Sequence, residues 1–184
     1  MIGPMSGFDL RLGRSTAPRA RALLLAIGIG TLAALGIALV AQHGFDIQPC
    51  PWCVIQRVVV IAIAVVALAG AAAARLAPRA APAVAALLLL ALAGGGAVAA
   101  WHQHTVAAKQ LSCAFTWADR TLMAWQLDAL WPAMFRVGAT CADAAKATML
   151  GWPFEVWSGA WFALVALAAA GVLGLLRATA RARR

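Results

Sequence analysis

Four cysteines carry the most reactive chemistry in this sequence: Cys50 and Cys53, set in a Cys-Pro-Trp-Cys motif, and the widely spaced Cys113 and Cys141. Such a set can exchange electrons as dithiol and disulfide, staple loops, or bind a metal. Four cysteines allow three pairings. Cys50 and Cys53 can close on each other, which would leave Cys113 and Cys141 to bridge a long loop. Two structural staples are the plainest account, but a bridge across two intervening residues removes little chain entropy and is better suited to exchange. Zinc sites prefer two close-set ligand pairs. His102 and His104 are further ligand types, but Cys113 and Cys141 lie too far apart in sequence to form such a pair, so no metal is expected.

The surroundings of Cys53 favour exchange. It is expected in the first turn of a helix, where unpaired backbone amides and the helix dipole favour an anion. Arg57 follows four residues later, one turn along the same face, with a guanidinium that is never neutral. Both features favour a thiolate. An arginine at the edge of hydrocarbon is costly, so Arg57 is read as functional ahead of snorkelling to the headgroups.

These residues must be positioned by apolar elements. The chain of 184 residues is 64% apolar and 11% charged, against about 45–50% and 25% for soluble domains, which excludes both a typical water-soluble globule and a disordered chain. Spanning a bilayer takes about 20 mostly apolar residues. Four runs qualify, at 22–42, 58–74 with an extension back to 54, 83–101 and 156–176. The first exceeds the apolar core of a cleaved signal peptide and is read as a retained span. The expected fold is therefore an all-α membrane protein, a four-transmembrane-helix bundle forming a single integral membrane domain over 1–184.

The formal net charge of +9 falls on three segments, with +3 before the first span, +2 between the second and third, and +4 in the tail that ends at Arg183 and Arg184. The segments 43–53 (with Arg57) and 102–155 each sum to zero. By the positive-inside rule both termini face the cytoplasm, and the loops 43–53 and 102–152 face outward. The basic tail is then a topology signal or a contact with anionic lipid, and nucleic acid is not an expected partner. Both cysteine pairs lie in the outward loops, an oxidising location in a bacterial-type envelope.

All eight tryptophans, at 52, 101, 117, 125, 131, 152, 157 and 161, fall in those loops or at the outer ends of the third and fourth spans. One-sided use suggests a surface that packs, docks a partner or lies in the headgroups. In 116–137 the apolar Trp117, Met123, Trp125, Leu127, Leu130 and Trp131 interleave with Asp119, Arg120 and Asp128. The pattern predicts a short amphipathic helix lying parallel to the membrane and ending near Pro132. Gly94, Gly95 and Gly96 in the third span are expected to permit close helix packing rather than to line a channel.

With these residues in view the sequence resembles the disulfide bond formation protein B family, DsbB, the quinone reductases of bacterial envelopes. The likeness covers nearly the whole chain. It rests on four spans with both ends inside, on Pro49-Cys50-Pro51-Trp52-Cys53-Val54-Ile55-Gln56-Arg57, on a histidine after the third span, and on two spaced cysteines in the second outer loop. The resemblance implies location in the bacterial inner membrane, with the cysteine loops in the periplasm. It also implies an electron route. A reduced periplasmic thioredoxin-like partner of the DsbA type attacks Cys113 and releases Cys141. Cys141 attacks Cys50 and frees Cys53 to face a quinone, ubiquinone or menaquinone, with Arg57 stabilising charge on a quinone oxygen. His104 aligns with a family histidine near the quinone, with His102 two residues earlier. The sequence departs from the enterobacterial pattern in having Gln56 where an acidic residue is common, and fewer residues between the histidine and Cys113.

The function expected is thus a quinone-dependent protein dithiol oxidase. The alternatives are a paralogue devoted to one client or working reductively, which the same cysteines would serve, and a structural tetraspanning protein with stapled loops, which leaves the placement of Arg57 unexplained.

Overall fold

The computed structural model describes residues 7–110 and 112–181. Arg183 and Arg184, used above to orient the chain, lie outside them. Four long helices dominate: α1 (Gly7–Gly44), α2 (Pro51–Ala73), α3 (Ala80–Thr105) and, after the long loop, a fourth at Phe154–Arg181. The stretches long and apolar enough to cross a membrane are Pro18–Gly44 within α1, Pro51–Ala73, Ala80–Lys109, which runs past the end of α3, and Phe154–Arg181. Short connections make α1, α2 and α3 antiparallel neighbours, and the fourth helix closes the ring by packing on both α3 and α1.

Small side chains set the bundle's tightness. Its core is built from Leu24, Ile27, Ile63, Leu89, Phe162, Val165 and Val172, with Ala67, Ala71, Ala85, Ala86, Ala93 and Ala169 between them. Of the three consecutive glycines in α3, Gly96 is the one at a close approach: a Cβ there would stand 2.5 Å from Cε1 of Phe162, whereas Gly94 and Gly95 have nothing within 4 Å. Ile29, Leu32, Ile37, Val65, Leu87, Val98 and Leu167 face outward and exposed, as lipid-facing positions require.

The cysteine-bearing end is capped by the long loop. After a 3-10 turn at Ala107–Lys109 come α4 (Trp117–Trp125), α5 (Leu127–Leu130), α6 (Pro132–Phe135), α7 (Cys141–Lys146) and a two-residue hairpin pairing Thr148–Met149 with Trp152–Pro153, which leads into α8 (Phe154–Arg181). The short helix expected to end near Pro132 is there in two pieces, α4 and α5, and α6 begins at Pro132 itself. Thr116 caps the first by accepting from the amide of Asp119. It stops at Gln126, whose φ of 50° is left-handed, and Pro132 then bars Trp131 from helical geometry. The amphipathic reading holds within α4: Ala118 and Leu122 are buried, while Trp117, Met123 and Trp125 are exposed. The amides of Gly138 and Ala139 donate to the carbonyl of Pro49, tying this cap to the short loop between α1 and α2.

Candidate functional site

The N-terminus of α2 places the motif. Pro51 occupies the first helical turn, where its missing N–H is no loss, and Cys50 is the N-cap residue. Cys53 therefore sits in the first turn and Arg57 one turn on, as their spacing predicts. Their sulfurs and charges are positioned from there.

Cys50 and Cys53 are free thiols with Sγ atoms 3.1 Å apart, and Cys113 is disulfide-bonded to Cys141 with Cα atoms 5.5 Å apart. Cys50 bridges the two pairs: its Sγ and those of Cys113 and Cys141 all lie within 4.8 Å of one another. All three are buried, in a cluster with Trp52, Val54, Ala107, Ala118, Leu122 and Phe135. Contact with Cys53 and then burial push the Cys50 thiol above its ordinary range. Convergence of three sulfurs resembles a metal centre, but a bridged pair offers no thiolate ligands, and the same geometry suits exchange.

Cys53 faces a different space. A cavity of about 470 Å³ runs between α1 and α8, walled by Gly30, Ala34, Ala38, Phe154 and Trp161, and ends at Cys53, Gln56, Arg57, Gln103 and Glu155. It is an apolar slot with a polar head, the usual composition of a small-molecule site.

The head is held by hydrogen bonds among the four long helices and α6. Ser158 Oγ donates to Gln56 Oε1, Gln56 Nε2 donates to Gln103 Oε1 over 2.7 Å, and Gln103 Nε2 donates to Cys53 Sγ over 3.2 Å. Arg57, 8% exposed, donates to Gln42 Oε1 of α1 and over 2.8 Å to the carbonyl of Met134 in α6. Its acceptors are neutral: the ion pairs among the described residues are His104–Glu155 and Lys146–Asp143. The guanidinium thus keeps its positive charge unpaired beside Cys53, where an anion would be stabilised.

The structure brings Cys50, Cys53, Cys113, Cys141 and Arg57 together. It sets His104 one step back: His104 does not line the cavity but reaches it through Glu155, with Nδ1 3.2 Å from Oε1. His102 packs on Trp52, their ring centroids 4.5 Å apart. Residues that spacing rules did not single out are Gln42, Gln103, Ser158 and Glu155. Their signal is that each is polar at the end of an apolar run, a placement that in membranes calls for a partner.

Comparison with known proteins agrees with this arrangement. The family model for disulfide bond formation protein DsbB matches residues 20–172. A disulfide bond formation protein B from Herminiimonas arsenicoxydans is 33% identical over 147 residues, 80% of this chain and 90% of the relative. One from Cupriavidus metallidurans is 28% identical over 157 residues, 85% and 93% of the two chains. A disulfide bond formation protein B 2 from Burkholderia lata is 32% identical over 146 residues, 79% and 83% of the two. A bundle of four membrane-length helices, with a disulfide beside a Cys-x-x-Cys dithiol at one end, is what this match covers, and the chain belongs to the DsbB family of disulfide oxidoreductases.

Proposed function

We propose that this chain acts as one integral membrane unit in the bacterial inner membrane. It oxidises the dithiol of a periplasmic DsbA-type partner and passes the electrons to a membrane quinone, ubiquinone or menaquinone. The observation that carries this reading is the continuity of the sulfurs. Cys50 lies between the Cys113–Cys141 disulfide, within 4.8 Å, and Cys53, at 3.1 Å, while Cys53 opens onto the apolar cavity.

The exchanges balance bond for bond. A partner thiolate attacks Cys113 Sγ, forming a mixed disulfide and expelling Cys141 as a thiolate. The second partner thiol, deprotonated, then attacks the mixed disulfide and leaves as oxidised partner, so Cys113 and Cys141 hold two electrons. Cys141 passes them inward by attacking Cys50 of an oxidised Cys50–Cys53 pair, which expels Cys53; Cys113 closes back on Cys141 and frees Cys50. The arrangement seen here, an outer disulfide beside an inner dithiol, corresponds to the end of that transfer. Each exchange among this chain's own cysteines needs attacking and attacked sulfurs in reach, and the cluster supplies that without a large movement of α2.

The cavity suits a quinone headgroup in size and polarity. Arg57 and Cys53 would hold the ring at its polar head, and Gly30, Ala34 and Trp161 would line the path of an isoprenoid tail toward the lipid. When bound, a quinone accepts two electrons from the dithiol and takes up two protons to become quinol. Arg57 contributes a fixed charge, and Gln103 holds a hydrogen atom toward Cys53 Sγ. Outward orientation of the cysteine-bearing end, with both termini cytoplasmic, agrees with the charge of the connecting segments.

The test follows quinone absorbance with purified protein in detergent, a soluble ubiquinone or menaquinone, and reduced DsbA-type partner. Loss of quinone that needs both proteins and stops with Cys53→Ser supports the reading. No consumption of either quinone by wild-type protein overturns it.

A further inference from the structure

Among the described residues Glu155 is the buried acid, and the exchange steps leave it unused. It opens α8 inside the cavity head, 4% exposed. Its Oε1 contacts Nδ1 of His104, while Oε2 is buried without a hydrogen-bond partner. A carboxylate oxygen is rarely left in that state, because burying it unpaired is costly. The histidine is the opposite: its side chain is 49% exposed at the end of α3, where that of Glu155 is 2% exposed. The pair thus joins the exposed surface at the end of α3 to the cavity through two groups able to carry a proton, in contact.

We propose that His104 and Glu155 form the proton entry route to the cavity, with Glu155 Oε2 delivering protons to the electron acceptor bound beside Cys53. This inference rests on the quinone reading above. The chemistry requires such a route. Oxidation of one partner dithiol to a disulfide releases two electrons and two protons, and reduction of one quinone to quinol consumes two of each. The electrons travel by sulfur, as disulfide bonds break and form. The protons leave the partner's thiols into water and must enter an apolar slot separately. His104 takes a proton from solvent and passes one from Nδ1 to Oε1 of Glu155. Oε2 gives one up to the ligand oxygen, and the route reloads for the second.

The other titratable or charged groups lining this cavity are Cys53 and Arg57, both from α2; the lining residues of α1 and of the segment before α8 are apolar or uncharged. Arg57 cannot serve, because its guanidinium does not deprotonate. Cys53 is the electron donor. Gln56, Gln103 and Ser158 do not titrate, and their hydrogens are engaged along the chain that ends on Cys53 Sγ. Glu155 is the acid that remains.

The experiment uses full-length protein in detergent with ubiquinone-1 and reduced partner. Two readouts are taken: equilibrium binding, from quenching of Trp157 and Trp161 in the cavity wall, and steady-state turnover. Glu155→Gln keeps size and hydrogen bonding but carries no titratable proton. It should bind ubiquinone-1 within about twofold of wild type and turn over at least about tenfold more slowly, at the low end of what a positioned acid supplies because water offers a slower path. His104→Ala should also slow turnover, and free imidazole, which the exposed site admits, should restore it in proportion to concentration. Imidazole should do nothing for Glu155→Gln. Wild-type turnover in Glu155→Gln overturns the proposal. So does loss of ubiquinone-1 binding in step with turnover, which would make Glu155 a binding group, and so does failure of imidazole to rescue His104→Ala. If wild-type protein neither binds nor reduces ubiquinone-1 or a soluble menaquinone, the quinone reading falls and the proton route with it.

Discussion

Gln103 Nε2 is placed to donate to Cys53 Sγ at 3.2 Å, with its own amide oxygen held by Gln56. Replacing it with leucine removes that donor and leaves the sulfur otherwise in place. A hydrogen bond to a charged group contributes about 1.5–3 kcal/mol net, so at a pH where the thiolate is the minor form its population should fall roughly 10- to 100-fold. The remaining thiolate is less stabilised and hence more nucleophilic, with a Brønsted slope of about 0.4–0.5, so about half of the logarithmic change survives in a rate. The expected result is a roughly 3- to 10-fold slower alkylation of Cys53 by iodoacetamide. The assay is made in a Cys50→Ala background, so that Cys53 is the only free thiol among the four cysteines, and peptide mapping confirms the site. Ser158→Ala, two amides away along the same chain, should slow alkylation in the same direction by less than about twofold, since polarisation along such chains is modest. Once Gln103 is leucine, Ser158→Ala should add nothing. Equal rates for wild type and Gln103→Leu would refute the claim that the polar chain acts on the sulfur.

Cys53→Ser and Cys113→Ser should each abolish turnover by different lesions: the first leaves partner attack intact and stops quinone reduction, the second prevents the partner's mixed disulfide, as non-reducing gels and quinone absorbance would show. Arg57→Ala should weaken quinone use more than partner binding, and unchanged quinone kinetics would remove Arg57 from the site. Gln42→Glu places a carboxylate on Arg57 in place of a neutral acceptor; it should lower quinone turnover several-fold while leaving thermal stability the same or higher, because the guanidinium's field would then be spent on its new partner. Gly96→Ala forces a methyl to 2.5 Å from the Phe162 ring and should destabilise the α3–α8 contact by about 1–3 kcal/mol, seen as a lower Tm in detergent with unchanged alkylation of Cys53.

What could be read in advance followed from local rules. Apolar runs of bilayer length located the four helices, and extending the second run back to 54 put Cys53 at the helix start and Arg57 one turn beneath it. The polar head of the cavity was not legible, because Gln42, Gln56, Gln103 and Ser158 converge from four helices and no spacing within one segment encodes that meeting. His104 was chosen by resemblance, yet the neighbour that connects it to the cavity, Glu155, lies 51 positions away on another helix. Register decided the glycines: three in a row looked equivalent, and only Gly96 meets Phe162. The break in the amphipathic segment rests on a left-handed Gln126, a conformation for which glutamine carries no local preference.

Burial and charge in this site serve one end. On the proposed function, an exchange centre facing an oxidising compartment would meet many thiols, yet would have to react with one partner and drive the electrons one way. Cys113 and Cys141 are 4% and 1% exposed, so a small thiol in solution finds no open sulfur, and a partner has to displace part of the cap formed by Trp52, Ala118 and Leu122 to reach Cys113. Inside the cap the electrostatic order is graded. Cys50, buried and raised above the ordinary thiol range, favours its protonated or bridged form. Cys53 accepts a hydrogen bond from Gln103 and shares its cavity with an arginine whose acceptors are neutral. Negative charge is therefore better accommodated at the cavity end of the sulfur chain than in its middle, which biases each exchange toward releasing Cys53. Pairing Arg57 with a carboxylate would tighten the fold and flatten that gradient, and the neutral Gln42 and the Met134 carbonyl are what allow the charge to be both held and left available.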